Sequence, residues 1–212
     1  MFDKFLSISP QVKIAVLAIL HVVGLIGLLS PFQDVFLQLS TVNLVISALF
    51  ILPKEFDNRF SISLLFIVSL GFGIEWIGTT TGWPFGVYSY GNGLSPLLMG
   101  VPLVIGVNWW MLTYGALEIS RLKIKPKIFQ ILVAGGLLTA LDLLIEQVAP
   151  KLTFWTWQSA SVPIQNYIAW FVLGTIMAFF IQKFQSKESL NKMAVALFII
   201  QVLFFSILNL AL

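Results

Sequence analysis

The sequence predicts an all-α fold: a polytopic membrane helix bundle of about seven transmembrane helices that forms a single integral membrane domain, residues 1–212. Three observations support this prediction. Hydrophobic residues make up 58% of the chain and charged residues only 10%. The mean hydropathy is +0.97, and the apolar residues fall into seven runs of membrane-spanning length with short connections.

The seven runs follow from a length of about 20 apolar residues per crossing. We place the spans near residues 11–29, 34–52, 62–79, 97–119, 128–149, 164–182 and 193–212. The first run is longer than the apolar part of a signal peptide, and no small-residue cleavage site follows it, so we expect it to remain as a helix. The third and fifth runs carry acidic residues near one end, and the fourth and sixth open with proline motifs.

Lysine and arginine positions predict the orientation of the bundle. If the N-terminus is cytoplasmic, eleven of these residues lie in inner segments and only Lys151 lies outside. The inner residues are Lys4, Lys13, Lys54, Arg59, Arg121, Lys123, Lys125, Lys127, Lys183, Lys187 and Lys192. By the positive-inside rule, the asymmetry predicts a multi-pass protein of the cell inner (cytoplasmic) membrane. The connections 80–96 and 150–163 then lie together on the outer side.

The residue content excludes several classes of function. The chain has no cysteine, which removes disulfides, thiolate catalysis and cysteine-ligated metals, and its single histidine is His21. Membrane di-iron enzymes carry several histidine clusters, so we expect no such metal centre. The net charge of +3 reflects basic residues in short membrane loops, and we do not expect nucleic acid to bind.

Two pairs of helices share a pattern that indicates a parallel repeat. The fourth span opens with "GVPLVIGVNWW" and the sixth with "SVPIQNYIAWF". In each, a tryptophan follows the proline by seven residues: Pro102 to Trp109, and Pro163 to Trp170. We predict that helices 3 and 4 are repeated as helices 5 and 6, with a site at their interface. A coincidence between short motifs is the alternative.

Three carboxylates lie in the outer half of the predicted bundle. Glu75 lies near the outer end of helix 3, while Asp142 and Glu146 are four residues apart and share one face of helix 5. An acidic residue at mid-bilayer costs about 2.5 to 3.5 kcal/mol, so such residues usually face the bundle interior and serve a function. The alternatives are a hydrogen-bonded structural carboxyl for Glu75, and pairing with Lys151 or lipid headgroups for the other two.

Two further ionisable residues are expected to be structural. Glu118 lies at the inner end of helix 4, three residues before Arg121, where an exposed ion pair explains it. His21 lies in the middle of helix 1 among apolar residues. We expect it to be a neutral, hydrogen-bonded packing residue.

Aromatic rings are concentrated in and beside the two outer connections. We predict these substrate-binding residues: Trp83, Tyr88, Tyr90, Trp109, Trp155, Trp157 and Asn166. For the loop rings the alternative is an interfacial aromatic belt. Asn166 and three similar amides, Asn43, Asn108 and Gln165, either line a cavity or join helices by hydrogen bonds. The glycines and prolines of "TGWPFGVYSYGNGLSP" predict that this loop folds back as a lid or re-entrant turn.

Buried acids beside aromatic rings suit one kind of chemistry. An apolar pocket disfavours the charged form of a carboxyl, and a second carboxylate does so further, so the acid stays protonated near neutral pH. Such an acid can protonate an electron-rich trisubstituted alkene, and rings and carboxylates stabilise the resulting tertiary carbocation. Water then gives a tertiary alcohol, an internal double bond gives a ring, and loss of a proton gives an alkene.

Four stretches of the sequence are similar to a known family. Glu75 with "GWPFGVYSY", then "GVPLVIGVNWW", "ALDLLIEQVAPKLTFWTW" and "VPIQNYIAW", resemble in order the blocks of the CruF-type carotenoid hydratases. That family includes γ-carotene hydratases and bisanhydrobacterioruberin hydratases, and the resemblance covers residues 70–171. It implies a cofactor-independent hydro-lyase in the lipid bilayer. Such an enzyme adds water to the terminal 1,2 double bond of a linear carotenoid end group, as in lycopene or γ-carotene.

Roles follow from combining the resemblance with the chemistry. We expect Asp142 or Glu146 to act as the acid and Glu75 as the base that orients water. The walls that stabilise the cation are expected to be Trp83, Tyr88, Trp155 and Trp157. The alternatives are a carotenoid cyclase with the same proton chemistry, a proton-coupled membrane carrier, and a protein that binds a carotenoid without reacting. A retinal protein would need a lysine in the last span, and residues 193–212 contain none.

Overall fold

Seven α-helices account for most of the chain in the computed structural model, which describes residues 8–53, 57–185 and 190–212. Within those residues the helices are α1 (Pro10–Leu28), α2 (Gln33–Ile51), α3 (Asn58–Thr81), α4 (Ile105–Arg121), α5 (Lys127–Glu146), α6 (Ile164–Phe184) and α7 (Lys192–Ala211). Four short strands connect them: β1 (Tyr88–Tyr90), β2 (Leu97–Leu98), β3 (Val101–Pro102) and β4 (Trp155–Trp157). The predicted all-α bundle is confirmed. Lys4, Lys54 and Lys187, used to predict orientation, lie outside the described residues.

Six of these helices are long and apolar enough to cross a membrane. The exception within the described residues is α4, whose 17 residues rise about 25 Å, short of a hydrocarbon core of about 30 Å. Thirteen of its residues are buried, and it packs against α2, α3, α5, α6 and α7. The protein is therefore a multi-pass membrane bundle in which the shortest helix is the central one.

The fourth helix begins later than the apolar pattern predicts. Leu97 and Leu98 pair with Pro102 and Val101 in an antiparallel hairpin, and α4 starts only at Ile105. A run of apolar residues has the same appearance whether it forms a buried strand or a buried helix, which explains the difference.

Local signals set both ends of α3. The Asp57 side chain accepts a hydrogen bond from the backbone N–H of Phe60 at 2.7 Å, which caps the first turn. The helix continues through Thr81, so the first two residues of the predicted connection 80–96 are helical. Gly82, with a φ of +75°, ends the helix in the left-handed conformation and donates its N–H to the carbonyl of Gly78 at 2.8 Å. This turn directs the following loop back over the bundle.

The two outer connections pair with each other. Strands β1 and β4 are antiparallel, with Tyr88 opposite Trp157, Ser89 opposite Thr156 and Tyr90 opposite Trp155. Phe85, in the loop that leads into β1, is only 2% exposed. The predicted lid is thus a two-stranded sheet built from both connections.

The ends of α4, α6 and α7 meet at Glu118, which is fully buried. Its Oε1 accepts hydrogen bonds from Arg121 at 2.7 Å and from Gln185 at 3.3 Å, and its Oε2 accepts from the backbone N–H of Asn191 at 2.6 Å. The predicted ion pair is confirmed. The expectation that it is exposed is wrong, because the side chain of Gln185 and the backbone of Asn191 close over the carboxylate.

Candidate functional site

Eight predicted site residues line one pocket, which we call the carboxylate pocket. They are Glu75, Tyr88, Tyr90, Trp109, Glu146, Trp155, Trp157 and Asn166. Helices α3, α4, α5 and α6 supply its walls, and the β1–β4 sheet and Phe85, in the loop before β1, supply the rest. Its volume is about 40 Å³, which admits a few groups the size of a water molecule.

Glu75 occupies one side of the carboxylate pocket and is only 4% exposed. Its Oε2 accepts hydrogen bonds from the hydroxyls of Tyr88 at 2.5 Å and Tyr90 at 2.7 Å. Its Oε1 accepts one from the indole N–H of Trp109 at 2.7 Å. Three short donor contacts around one carboxyl group are an arrangement that stabilises a negative charge.

Glycines leave room for these donors. A Cβ on Gly78, three residues after Glu75, would lie 2.8 Å from the Tyr88 hydroxyl. A Cβ on Gly71, one turn before Glu75, would lie 2.9 Å from the Cβ of Trp109. Both distances are shorter than van der Waals contact, so the small residues on this face of α3 allow the rings to reach the carboxylate.

The two tyrosines that contact Glu75 keep their hydroxyl protons. Burial raises the pKa of Tyr88 and of Tyr90, and the negative charge of Glu75 raises both further. A raised phenol pKa favours the neutral form. Both hydroxyls therefore remain hydrogen-bond donors at neutral pH.

Glu146, the last residue of α5, occupies the other side of the pocket and is also 4% exposed. Its Oε2 accepts hydrogen bonds from the indole N–H groups of Trp157 at 2.7 Å and Trp155 at 3.2 Å. Its Oε1 accepts a longer one from the Asn166 amide, at 3.3 Å. Oε2 of Glu146 thus has two hydrogen-bond donors, whereas Oε1 has a single, longer hydrogen bond.

Asp142 lies one turn before Glu146 and is fully buried. The same Asn166 amide nitrogen that reaches Glu146 donates to Oδ2 of Asp142 at 2.7 Å. Oδ1 of Asp142 has no hydrogen-bond partner among the described residues. Asp142 does not line the pocket, and it is joined to the pocket lining by its hydrogen bond with Asn166.

Ring contacts join the two sides of the pocket. Ring centroids lie 5.2 Å apart for Tyr88 and Trp157, and the rings of Trp109 and Trp170 stack at 4.3 Å. Trp170 is the tryptophan of the second proline motif. Each half of the predicted repeat therefore contributes a glutamate, a strand with two ring donors, and a tryptophan from the following helix.

The structure does not bring Trp83 into the pocket. Its side chain is 65% exposed, and its backbone N–H donates to the hydroxyl of Thr81 at 3.1 Å. The turn at Gly82 places the ring on the outer surface, where it suits an aromatic belt better than a cation-binding wall.

Four lining residues were not predicted to be in the site: Phe85, Ile105, Ile145 and Trp170. A fifth, Asn108, is one of the amides for which the sequence left open a cavity or a contact between helices, and it lines the pocket. Trp170 had a usable signal, since it follows Pro163 by the spacing that separates Trp109 from Pro102. The isoleucines had none, because an apolar residue in an apolar helix does not reveal which direction it faces.

The pocket combines proton-carrying groups with aromatic surfaces. Two carboxyls line it, a third lies one turn behind, and five of the lining rings donate to the carboxyls. Across the described residues, histidine, aspartate and glutamate side chains do not form a group of three that could hold a metal ion. The arrangement supports proton transfer and the stabilisation of charge.

Comparison with known proteins gives the family. A family model described as "Carotenoid biosynthesis protein" matches residues 32–212. The bisanhydrobacterioruberin hydratase of Haloarcula japonica is 30% identical over 128 residues, which are 57% of this chain and 44% of that relative, so the match spans less than half of the relative's length. No solved structure matches the chain. The resemblance seen in residues 70–171 is confirmed, and the chain belongs to the family of carotenoid biosynthesis proteins.

Proposed function

We propose that this protein is a carotenoid hydratase, which adds water across the terminal double bond of a linear carotenoid end group to form a tertiary alcohol. The observation that carries the proposal is one small pocket lined by Glu75 and Glu146 and otherwise mostly by aromatic rings. Membership of the carotenoid biosynthesis family, and a relative named as a hydratase, support it.

Glu146 is the group that we assign as proton donor, because it is the carboxyl of α5 that lines the pocket. Its neighbour Asp142 shares the Asn166 amide with it. Two buried carboxyls this close repel each other when both are charged, so the pair favours holding one proton. When Glu146 releases that proton, the indoles of Trp155 and Trp157 stabilise the carboxylate that remains.

The proton adds to the less substituted carbon of the terminal alkene, which leaves a tertiary cation on the other carbon. The ring faces of residues such as Trp109 and Tyr88 attract a cation by about 0.5 to 2 kcal/mol each. Glu75, whose charge is stabilised by three donors, provides a fixed negative charge on the opposite side from the acid. Because the three donors fix the Glu75 carboxylate in position before the cation forms, the site does not have to reorganise during the reaction.

Water completes the reaction. Its oxygen forms a bond to the cationic carbon, and one of its protons passes to the carboxylate of Glu75. Transfer of that proton back to the pair formed by Glu146 and Asp142 restores the starting state. The net reaction joins one alkene and one water, with no change in oxidation state, so the proposed cycle needs no cofactor.

The position of the pocket fits a substrate that stays in the membrane. With the predicted orientation, the pocket lies in the outer half of the cytoplasmic membrane, and a long polyene can lie in the bilayer with one end in the site. The volume of about 40 Å³ suits a chain terminus rather than a whole carotenoid. In this proposal the carotenoid end group enters the pocket between helices, directly from the lipid.

The proposal is tested by expressing the chain in a host that makes lycopene or γ-carotene and analysing the pigments by liquid chromatography and mass spectrometry. Wild type is expected to yield a product heavier by one water. Glu75→Gln, Asp142→Asn and Glu146→Gln are expected to lose it while still accumulating in the membrane. Asp34→Asn, an exposed carboxylate in the first turn of α2, is the matched control and should behave as wild type.

Other products would identify other activities. An isomer of unchanged mass with shorter conjugation would show a cyclase. Unaltered pigment from both substrates would contradict the hydratase. Proton uptake by proteoliposomes that depends on Asp142 would then favour a carrier.

A further inference from the structure

A second cavity lies against the carboxylate pocket. Its volume is about 80 Å³, and it lies among α1, α2, α4, α5 and α7. The two cavities share Ile105, Asn108, Ile145 and Trp155 in their walls. We call this cavity the second chamber; nothing in the proposed function yet uses it.

Polar side chains from four helices converge on the second chamber. They are His21 of α1, Ser40 and Asn43 of α2, Asn108 of α4 and Gln201 of α7. Polar side chains within membrane-spanning helices are costly, and they are usually retained to contact one another or a bound group.

Two of these side chains form a neutral pair. Nδ1 of His21 lies 2.8 Å from the backbone carbonyl of Leu17, which can only accept, so Nδ1 carries the hydrogen. Nε2 is then the acceptor for the Gln201 amide nitrogen at 3.2 Å. The pair, 4% and 5% exposed, is polar without being charged.

Asn43 presents an acceptor with no partner. Its Oδ1 is buried, and no described group donates a hydrogen bond to it. A buried acceptor normally has a donor, from protein or from ordered water. Water is a donor that the reaction itself requires. Ten of the fifteen lining residues are apolar, and the five polar ones give water the partners that a wholly apolar cavity would lack.

We propose that the second chamber is a water site that supplies the nucleophile to the carboxylate pocket, with Asn108 in the shared wall guiding the transfer. The inference rests on the proposed hydratase function and assigns the source of its second substrate. Water in the chamber accepts from the amides and donates to Asn43. On entering the carboxylate pocket it attacks the cation through oxygen and gives its proton to Glu75.

The experiment measures how the cation is partitioned. Reaction in D₂O places one deuterium on carbon when the alkene is protonated. Capture by water then gives the alcohol, whereas loss of a proton returns a deuterated alkene or its double-bond isomer. The ratio of deuterated alkene to alcohol, read by mass spectrometry, reports the supply of water separately from the protonation step.

Asn43→Leu and Asn108→Leu remove the amides at similar volume, and Asn43→Ser keeps a polar group. Asn209→Leu is the matched control, because that amide donates to the carbonyls of Leu144 and Phe205 and lines neither cavity. We expect the ratio to rise about fivefold or more in both chamber leucine variants, the effect of losing about one hydrogen bond to water. Asn43→Ser should give a ratio between those of the leucine variants and wild type, and Asn209→Leu should keep the wild-type ratio.

Each other outcome has a definite meaning. If alcohol and deuterated alkene fall together at a constant ratio, the chamber binds the alkene or only supports the fold, and the inference is overturned while the hydratase stands. If wild type forms no alcohol at all, both proposals are overturned.

Discussion

The two sides of the carboxylate pocket are built alike but equipped differently. Ring donors follow Glu75 by 13 and 15 residues and Glu146 by 9 and 11, and they lie on strands that pair with each other. In both halves the two rings are therefore two residues apart along the strand, which places them on the same face. The two halves therefore share one backbone arrangement and differ in the side chains next to the glutamates.

That difference is a second carboxyl and an amide. Four residues before Glu146 lies Asp142, whereas four residues before Glu75 lies Gly71. Four residues before Trp170 lies Asn166, whereas the corresponding residue before Trp109 is Ile105. One half thus holds a single carboxylate in a cage of donors, and the other holds two carboxyls joined by an amide. In the proposed mechanism, the same scaffold thus holds a fixed charge on one side and a transferable proton on the other.

The largest expected effect comes from removing each glutamate in turn. Glu146→Gln should lower both hydration and deuterium incorporation from D₂O by about 10² to 10⁴, the usual contribution of a general acid. Glu75→Gln should also lower hydration, but the alkene that is recovered should still contain deuterium, because protonation precedes the step in which Glu75 accepts a proton. The reverse pattern would exchange the roles of the two halves.

A smaller effect is expected from the ring donors. Tyr88→Phe and Trp157→Phe each remove one hydrogen bond to a carboxyl while keeping an aromatic ring, at a cost of about 1.5 to 3 kcal/mol, or about 10- to 100-fold in turnover. Trp157→Phe should cost more, because Glu146 then retains only contacts of 3.2 and 3.3 Å, whereas Glu75 would retain two of 2.7 Å. Initial rates in isolated membranes, normalised to protein content, give the comparison. Equal losses would contradict this asymmetry.

The Gly71→Ala substitution should lower turnover by about tenfold. Gly71→Ala introduces a Cβ 2.9 Å from that of Trp109, so the ring that donates to Glu75 must shift, at about 1 to 3 kcal/mol. Gly73→Ala is the matched control, since a Cβ there meets nothing within 4 Å. The measurement is turnover at equal membrane content. Similar turnover for both variants would show that Trp109 can move without loss.

The smallest effect is expected at Trp83. Because its ring is 65% exposed and outside the pocket, Trp83→Ala should change turnover by less than about twofold, as surface substitutions usually do. Trp155→Ala, in the strand that pairs with Tyr90, should change it clearly in the same assay. A large loss at Trp83 would show that the outer surface takes part in substrate binding.

Much of the fold was readable from hydrophobic runs and local signals. Each of the seven apolar runs corresponds to a helix. The two ends of α3 follow from a side-chain cap at Asp57 and a left-handed glycine at Gly82. The start of α4 was not readable, because Leu97 and Val101 belong to an apolar run whether they form a hairpin or a helix. The burial of Glu118 was not readable either, since its further partners, Gln185 and Asn191, come from just after α6 and just before α7.

The candidate site was predictable in its residue types but not in its connections. Acidic residues within apolar runs identified Glu75, Asp142 and Glu146, since such residues are expensive in a membrane. The sequence did not reveal that Asn166 bridges two of them, or that Trp83 faces away while Tyr88 faces inward. The Asn166 contacts depend on how α5 packs against α6. The position of Tyr88 depends on how β1 and β4 pair across a separation of more than sixty residues.

The central pair of the small sheet, Ser89 opposite Thr156, has an evolutionary consequence. An antiparallel pair centred in this way is what two copies of one helix–strand–helix unit form when they meet face to face. A half-length ancestor could therefore have enclosed the same cavity as a homodimer, with two identical glutamates. Duplication of the gene would then have freed one copy to diverge, since two identical chains cannot carry an aspartate and an asparagine such as Asp142 and Asn166 on one side alone.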